Sequence, residues 1–402
     1  MINLEIPYTY ENSENPWLMD KKDNTDVIEI NGIKYTANYL WTLNKDERIN
    51  ALNNVYNYYR DKGFPYLNLS DDIIVNEFNK LKLYDVNNII KDNNIISNSC
   101  NLCIDLCKYF CKDYFYKASG GGNTLSVEDV FFNDEYFIKV LKNRMGWNIS
   151  KEDGKERPYI FPISDKQILN GIRNSGLGYG VSNFRPVIAK WMYKHAKELL
   201  NYNISKPYIF DYSAGWGARL MGALSLGYNY YSTDPLTYNC INVIFNKLNT
   251  YLKKDLLYEE IDFKSYNNGS QDLFFKNDEF KNKFDIIGSC PPYFDLEIYS
   301  DDKTQSNIEY NNYNLWLSEY WNKSVDNFKY MLKDNGIFIL VMKETLNKHN
   351  ILDDMNNILF KYGFNIIEDW VYKTSTNHLS GKTKTGRTSK YNEHIIFYLN
   401  KI

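Results

Sequence analysis

Phe284-Asp285-Ile286-Ile287-Gly288-Ser289-Cys290-Pro291-Pro292-Tyr293 is the stretch that decides the fold. A run with the composition of a buried strand meets two prolines and then an aromatic ring. Both prolines fix φ, and the second removes a backbone donor. The residue before each proline is pushed into extended geometry. The strand tip is therefore stiff, with carbonyls aimed beyond the sheet edge and a flat ring beside them. Such a tip is equipped to hold a planar amine by hydrogen bonds and to stack on its ring.

Upstream, Tyr208-Ile209-Phe210-Asp211-Tyr212-Ser213-Ala214-Gly215-Trp216-Gly217-Ala218-Arg219-Leu220 reads as a strand, a Gly-x-Gly turn and a helix start. Asp234 follows a second short strand, Tyr230-Tyr231-Ser232-Thr233. Glycines at such a turn let a ligand approach the backbone, and an acid at the next strand tip can bind ribose hydroxyls. Gly-x-Gly alone also marks ordinary tight turns. Turn, acid and diproline tip in this order are the stronger sign.

From Pro186 onward strands and helices alternate. Helices are predicted over about 186–200, from 219, over 239–253, 315–332 and 351–362. Strands are predicted at 336–342, 365–372 and 393–399, besides the three above. This alternation means an α/β fold with a mostly parallel, Rossmann-like sheet, and the last two strands form an antiparallel terminal hairpin. Ligands of open α/β sheets bind at the carboxyl ends of strands. Asp211, Asp234 and Cys290 all fall at such ends.

The N-terminal part is α+β. Asn31-Gly32 predicts a hairpin within Val27–Tyr35. Helices are expected over Asp46–Tyr59 and from Ser70. Cys100, Cys103, Cys107 and Cys111 lie along one predicted helix face, and one straight helix cannot wrap four ligands around zinc, so they are read as core thiols and no metal is expected. Ser119-Gly120-Gly121-Gly122-Asn123 lacks a following Gly-Lys-Ser/Thr and reads as a loop. The polar run Ser150–Pro158 is taken as a boundary, giving a domain over 1–155 and a second over 156–402.

Of 402 residues, 36 are tyrosine, and the net charge is −3. No global field draws the chain to nucleic acid, so any such contact needs a local basic patch. There is no N-terminal apolar signal segment and no apolar stretch long enough to span a bilayer. A soluble, intracellular (cytoplasmic) protein with reduced cysteines is expected.

These residues resemble the class I methyltransferases that use S-adenosylmethionine, and more narrowly the DNA amino-methyltransferases acting on adenine N6 or cytosine N4. That family carries an Asp-Pro-Phe-x-Gly-x-Gly turn and an Asp/Asn/Ser-Pro-Pro-Tyr/Phe strand tip. The match covers about residues 180–345. The resemblance implies that Asp211, Gly215 and Gly217 pack on the methionine part of the cofactor and that Asp234 holds the ribose. Asn183-Phe184-Arg185-Pro186 resembles a further cofactor motif, with Asn183 and Arg185 at a helix start, and Asp272 stands where an adenine contact is usual. Cys290, Pro291, Pro292 and Tyr293 would form the catalytic tip, Tyr293 as the stacking platform for a base rotated out of the duplex.

The chain departs from the family at three positions. Tyr212 and Ser213 replace Pro-Phe, and Cys290 stands where Asp, Asn or Ser is expected. A thiol is a weak donor and acceptor. Either the Pro291 carbonyl carries the activation, or Ser289 substitutes, or Cys290 is itself a nucleophile. The loop containing Lys382, Lys384, Arg387 and Lys390 is the candidate phosphate contact, Glu297–Trp316 the candidate lid or target wall, and the N-terminal domain the candidate for target recognition. Adenine N6 in DNA is the first expectation. An RNA base methyltransferase, a protein glutamine methyltransferase and a catalytically inactive cofactor-binding scaffold are the rivals.

Overall fold

The computed structural model describes residues 17–18, 26–92, 94–98, 100–120, 124–152, 155–178, 180–254, 259–294, 298–343, 349–374 and 393–400. The chain forms two compact units, Met1–Asn68 with Lys112–Val181, and Leu69–Cys111 with Ser182–Ile402.

The second unit carries the sheet. Its elements in chain order are α1 (Asp71–Leu83), β1 (Ile90–Asp92), β2 (Ile95–Asn98), α2 (Ile104–Phe110), α3 (Pro186–Leu199), β3 (Tyr208–Asp211), α4 (Ala218–Ser225), β4 (Asn229–Thr233), α5 (Tyr238–Leu252), β5 (Phe263–Tyr266), β6 (Phe284–Ser289), α6 (Asn322–Met331), β7 (Leu332–Lys343), α7 (Ile351–Lys361), β8 (Phe364–Thr374) and β9 (Glu393–Asn400). The sheet order is β5-β4-β3-β6-β7-β9-β8-β2-β1. Strands β5 to β7 run parallel, and β9 is antiparallel to both β7 and β8. This is the mostly parallel, Rossmann-like α/β sheet with an antiparallel terminal hairpin. The order reverses between β3 and β6, so the crevice beyond their carboxyl ends is the ligand position of an open sheet.

Sequence explains the layering. All six residues of β6 and all five of β4 are buried, as expected of strands covered on both faces. Helix α3 starts with Pro186 in its first turn, where the missing amide costs nothing. At Gly222 a Cβ would stand 2.6 Å from the Cβ of Ala189, so α4 lies against α3 with no room for a side chain. Tyr212, Phe328 and Phe338 are packed with Trp321 and Leu340 in one core cluster.

Residues 69–111 belong to this unit, although the boundary drawn from sequence places them in the N-terminal domain. Strand β2 pairs in parallel with β8, and β1 pairs with β2. The ammonium of the buried Lys190 on α3 donates to the carbonyls of Leu81, Lys82 and Tyr84 at 2.8–2.9 Å, placing a cation at the carboxyl end of α1. The cysteines do not share a helix face as predicted. Cys103 has a left-handed φ of 62° and caps α2, Cys100 precedes it, and Cys111 follows it. Cys103, Cys107 and Cys111 are buried free thiols.

In the first unit, Asn31 and Gly32 have φ of 51° and 79° and close the predicted hairpin. A helix over Lys45–Lys62 carries a full capping box at Asn44 and Glu47. Within the polar run read as a boundary the flanking residues pair as antiparallel strands, Ser150 with Arg157 and Glu152 with Lys155. Polar, glycine-containing composition suits strand connections as well as linkers, so it does not by itself mark a boundary. Among the described residues no helix is long and apolar enough to cross a membrane.

Candidate functional site

Beyond β3 the chain turns through Ser213–Gly217 into α4. Gly215 and Gly217 have φ of 55° and 80°, in the left-handed region that favours glycine. A Cβ at Gly217 would stand 2.3 Å from Ile244 Cδ1 on α5. A Cβ at Gly215 would meet nothing nearer than Arg219 Nη2 at 3.7 Å, so this side of the turn is an open cradle. Asp211 is fully buried beneath it. Its Oδ2 accepts from Arg219 Nε at 2.8 Å and from the Tyr230 hydroxyl at 2.6 Å, and its Oδ1 accepts from the Ser213 amide at 3.2 Å. Arg219 also donates to the Ser213 carbonyl. Burial lowers the Arg219 pKa, but Asp211 together with the surrounding Tyr193, Tyr230 and Cys290 outweighs this and the net shift is upward, so the guanidinium stays charged. Asp211, expected to pack on a ligand, holds the turn from below.

Asp234 latches the turn to the tip of β4. Its Oδ2 accepts from the Gly215 amide at 2.9 Å, and its Oδ1 from the Leu236 and Thr237 amides at 3.0 and 2.8 Å. The Thr237 hydroxyl returns a bond to the Gly215 carbonyl at 2.6 Å. Asp234 is half-buried. A carboxylate oxygen has two acceptor positions, so Oδ2 keeps one for a ligand hydroxyl.

On the other side the turn is bonded to β6. The Ser289 hydroxyl donates to the Ser213 carbonyl at 3.2 Å. Tyr212 donates to the Ser289 and Ile339 carbonyls at 3.2 and 3.3 Å, and Tyr193 to the Gly288 carbonyl at 3.2 Å. Tyr212 is thus a brace under the tip. Pro291 is buried, while Cys290 and Pro292 are half-buried. The Cys290 thiol lies 3.3 Å from the Tyr293 hydroxyl, which donates to Glu393 Oε1 at 2.7 Å. The Tyr293 ring is 8% exposed and sits in the core cluster, with Lys343 Nζ 5.4 Å from its centroid. Burial, together with Cys290 and Glu393, holds the Tyr293 phenol well above its ordinary pKa.

The remaining sequence candidates are placed as follows. Arg185 precedes α3 and donates to the Cys100 carbonyl at 3.2 Å and to Asn101 Oδ1. The amide of Asn183 is buried beside the Cys107 thiol. Asp272 caps a short turn, its oxygens accepting from the Phe274 amide and from Asn268 Nδ2, both at 2.8 Å. Lys382, Lys384, Arg387 and Lys390 lie outside the described residues, as does Glu297 at the start of the candidate lid.

Three residues were missed. Gln271, in the loop after β5, has a buried Oε1 without a hydrogen-bond partner. Tyr320 is carried by a π-helical turn, Trp316–Trp321, into the space between strand tips. Its hydroxyl lies beside Ser213 and Ser270, and Asp234 and Cys290 are close enough to act on it electrostatically. The spacing of Trp316, Tyr320 and Trp321 is the available signal. All three are buried, and the widened turn brings the sixth residue closer to the face of the first than an ordinary helical turn would. Glu393 has no local signal, because its partner lies 100 residues away in sequence.

No family model matches the chain, and no curated protein matches it. Solved structures do match. A methyltransferase from Pyrococcus furiosus is 13% identical, with a TM-score of 0.33, over 54% of this chain and 83% of that one. An S-adenosylmethionine-dependent O-methyltransferase from Thermotoga maritima is 13% identical, with a TM-score of 0.33, over 63% of this chain and 78% of that one. A geranyl diphosphate methyltransferase in complex with GPP and sinefungin is 9% identical, with a TM-score of 0.34, over 52% and 76%.

Proposed function

We propose that the chain is an S-adenosylmethionine-dependent methyltransferase acting on the exocyclic amine of a nucleobase in DNA, adenine N6 ahead of cytosine N4. One observation carries this reading. The glycine turn is hydrogen-bonded to the Asp234 tip on one side and to Ser289, just before the diproline tip, on the other. Cradle and tip are therefore held in one frame, across the point where the strand order reverses.

The residues present fit such a cofactor. Gly215 offers an open cradle, Asp234 Oδ2 a remaining acceptor for a ribose hydroxyl, and Gln271 Oε1 an unpartnered acceptor for an adenine amine. When bound, the cofactor supplies an electrophilic methyl group on a sulfonium. The chain's own task is to present the amine. An exocyclic amine is a poor nucleophile because its lone pair is delocalised into the ring. Acceptors at the tip that take its two N–H bonds favour a pyramidal nitrogen and free that lone pair. Ser289 is fully buried with its hydroxyl on Ser213, which leaves the Pro291 carbonyl and Cys290 as the acceptors. Orientation of this kind is worth several kcal/mol of barrier, roughly 7–11 in the best intramolecular cases. The loop with Lys382, Lys384, Arg387 and Lys390 would contact target phosphates.

Mass spectrometry of nucleosides from DNA and RNA of cells expressing the chain tests the reading. N6-methyladenine in DNA is the expected product. Modification confined to RNA would move the substrate to that polymer. No methylated base in either, with the cofactor still bound in calorimetry, would leave a scaffold.

A further inference from the structure

Position 290 carries a thiol where amine activation calls for a carboxylate or a better acceptor. We propose that Glu393 supplies the missing carboxylate, coupled to the reacting amine through Tyr293 and Cys290. This rests on the methyltransferase reading above and names a residue 100 positions from the motif.

The topology delivers Glu393 to the site. It is the first residue of β9, which runs antiparallel to β7, and it sits in register opposite Lys343 at the carboxyl end of β7. That end is next to the tip of β6, since β6 and β7 are parallel neighbours. The Tyr293 hydroxyl bridges the gap, with Glu393 Oε1 at 2.7 Å and the Cys290 sulfur at 3.3 Å. Lys343, above the Tyr293 ring, supplies a compensating positive charge.

The direction of the bonds matters. The thiol donates to the phenol oxygen, and the phenol donates to the carboxylate. Donors in series polarise one another, and the effect is larger in a site of low dielectric. The sulfur lone pairs therefore become a better acceptor for an amine N–H than those of an isolated thiol. Before transfer Tyr293 is protonated, and it acts as a transmitter between sulfur and carboxylate.

The same chain gives the amine proton a destination. The nitrogen lone pair forms the N–C bond to the methyl group as the C–S bond breaks, its electron pair returning to sulfur and cancelling the sulfonium charge. The excess proton on nitrogen passes to the Cys290 sulfur, the thiol proton to the Tyr293 oxygen, and the phenol proton to Glu393. Half-buried Glu393 then releases it to water.

Glu393→Gln is the test, because it removes the charge and keeps the shape. Cofactor affinity by calorimetry and the melting temperature should stay at wild-type values. The single-turnover rate of methyl transfer should fall about 100-fold, the size of a lost proton-transfer group. Tyr293→Phe should fall by a similar factor, and the double variant no further, as for two links of one chain. Cys290→Asp in the Glu393→Gln background should recover most of the loss, since the carboxylate is then at the tip itself. One arm needs neither cofactor nor base. Loss of the Glu393 charge should speed alkylation of Cys290 by iodoacetamide several-fold at neutral pH, and Cys290→Ser controls for other thiols. Wild-type methyl transfer by Glu393→Gln, or failure of Cys290→Asp to rescue it, would overturn the relay while leaving the methyltransferase intact. If the wild-type chain transfers no methyl group at all, the parent reading fails, and unchanged Cys290 alkylation in Glu393→Gln would refute the coupling independently.

Discussion

Gly217→Ala probes the cradle at its tightest point. Two costs add at this residue. Its φ of 80° puts alanine in the left-handed region, which costs about 1–2 kcal/mol. Its new methyl would stand 2.3 Å from Ile244 Cδ1, a fully buried side chain, and forced overpacking costs a further ~1–3 kcal/mol. Ile244→Val removes that Cδ1 and, alone, costs about 0.5–1.5 kcal/mol. With Cδ1 gone, the nearest atoms to the added methyl are Ile241 Cδ1 at 3.5 Å and Ile244 Cγ1 at 3.7 Å, which is ordinary contact. The double variant should therefore be more stable than the sum of the single losses predicts, by the overpacking share of ~1–3 kcal/mol. Guanidinium unfolding of the four proteins, followed by circular dichroism, measures this. Calorimetry with S-adenosylmethionine should show weakened binding in Gly217→Ala and recovery in the double variant, because the clash would lift the Gly215 amide away from Asp234. Additivity within about 0.5 kcal/mol would refute the packing argument. Unimpaired binding by Gly217→Ala would refute the assignment of the turn as a cofactor cradle.

Asp211→Asn leaves the Arg219 guanidinium buried without its counter-charge and should cost about 3–5 kcal/mol in unfolding free energy; Asp211→Asn with Arg219→Met should regain part of it. Burial pushes the phenols of Tyr228, Tyr320 and Tyr372 up to about 12 from 10.0, so their contribution to stability is complete below pH 10 and is lost as pH rises from 10 towards 12. At about 1.4 kcal/mol per pH unit, each is worth ~3 kcal/mol by pH 12, and alkaline titration should show these phenolates appearing together with loss of helical signal; ionisation of every tyrosine near pH 10 in a folded chain would contradict this. A chain of residues 156–402 should fail to fold, while residues 69–111 supplied as a peptide should restore a cooperative melt, since Lys190 and the edge of β8 both find their partners there.

Much of the fold was legible because it is written in local chemistry. Ser70 before Asp71-Asp72 caps α1, Pro186 opens α3, and continuous apolar runs mark β6 and β7. The positions of Asp211, Asp234 and Cys290 at strand ends followed from the same alternation. What each carboxylate does was not legible. Asp211 and Asp234 both end strands, yet one is closed off by Arg219 and Tyr230 and the other keeps an accessible edge, and only packing across the sheet separates them. What Tyr320 does was not legible, because the groups beside its hydroxyl, Ser213 and Ser270, come from distant parts of the chain.

Assigning residues 69–111 to the sheet also narrows where target recognition can reside. Strand β2 covers the edge of β8 through the Val371↔Ile95 to Thr374↔Asn98 pairings, and such an edge left open would invite association with other chains. Helix α1 receives the ammonium of Lys190, and Arg185 is fixed by Cys100 and Asn101. Helix α1, strands β1 and β2 and the Cys100–Asn101 turn are thus occupied with holding α3 and the sheet, the two parts that support the strand tips. A segment so employed cannot move to read a target without disturbing the tips themselves. If the chain acts on nucleic acid as proposed, the part of the N-terminal half left for recognition would be the first unit, which builds its own hairpin and its own helical core from Leu40, Tyr59, Phe131 and Leu141. Exchange of that unit alone should therefore change which sequence is modified while leaving the chemistry of the tips in place.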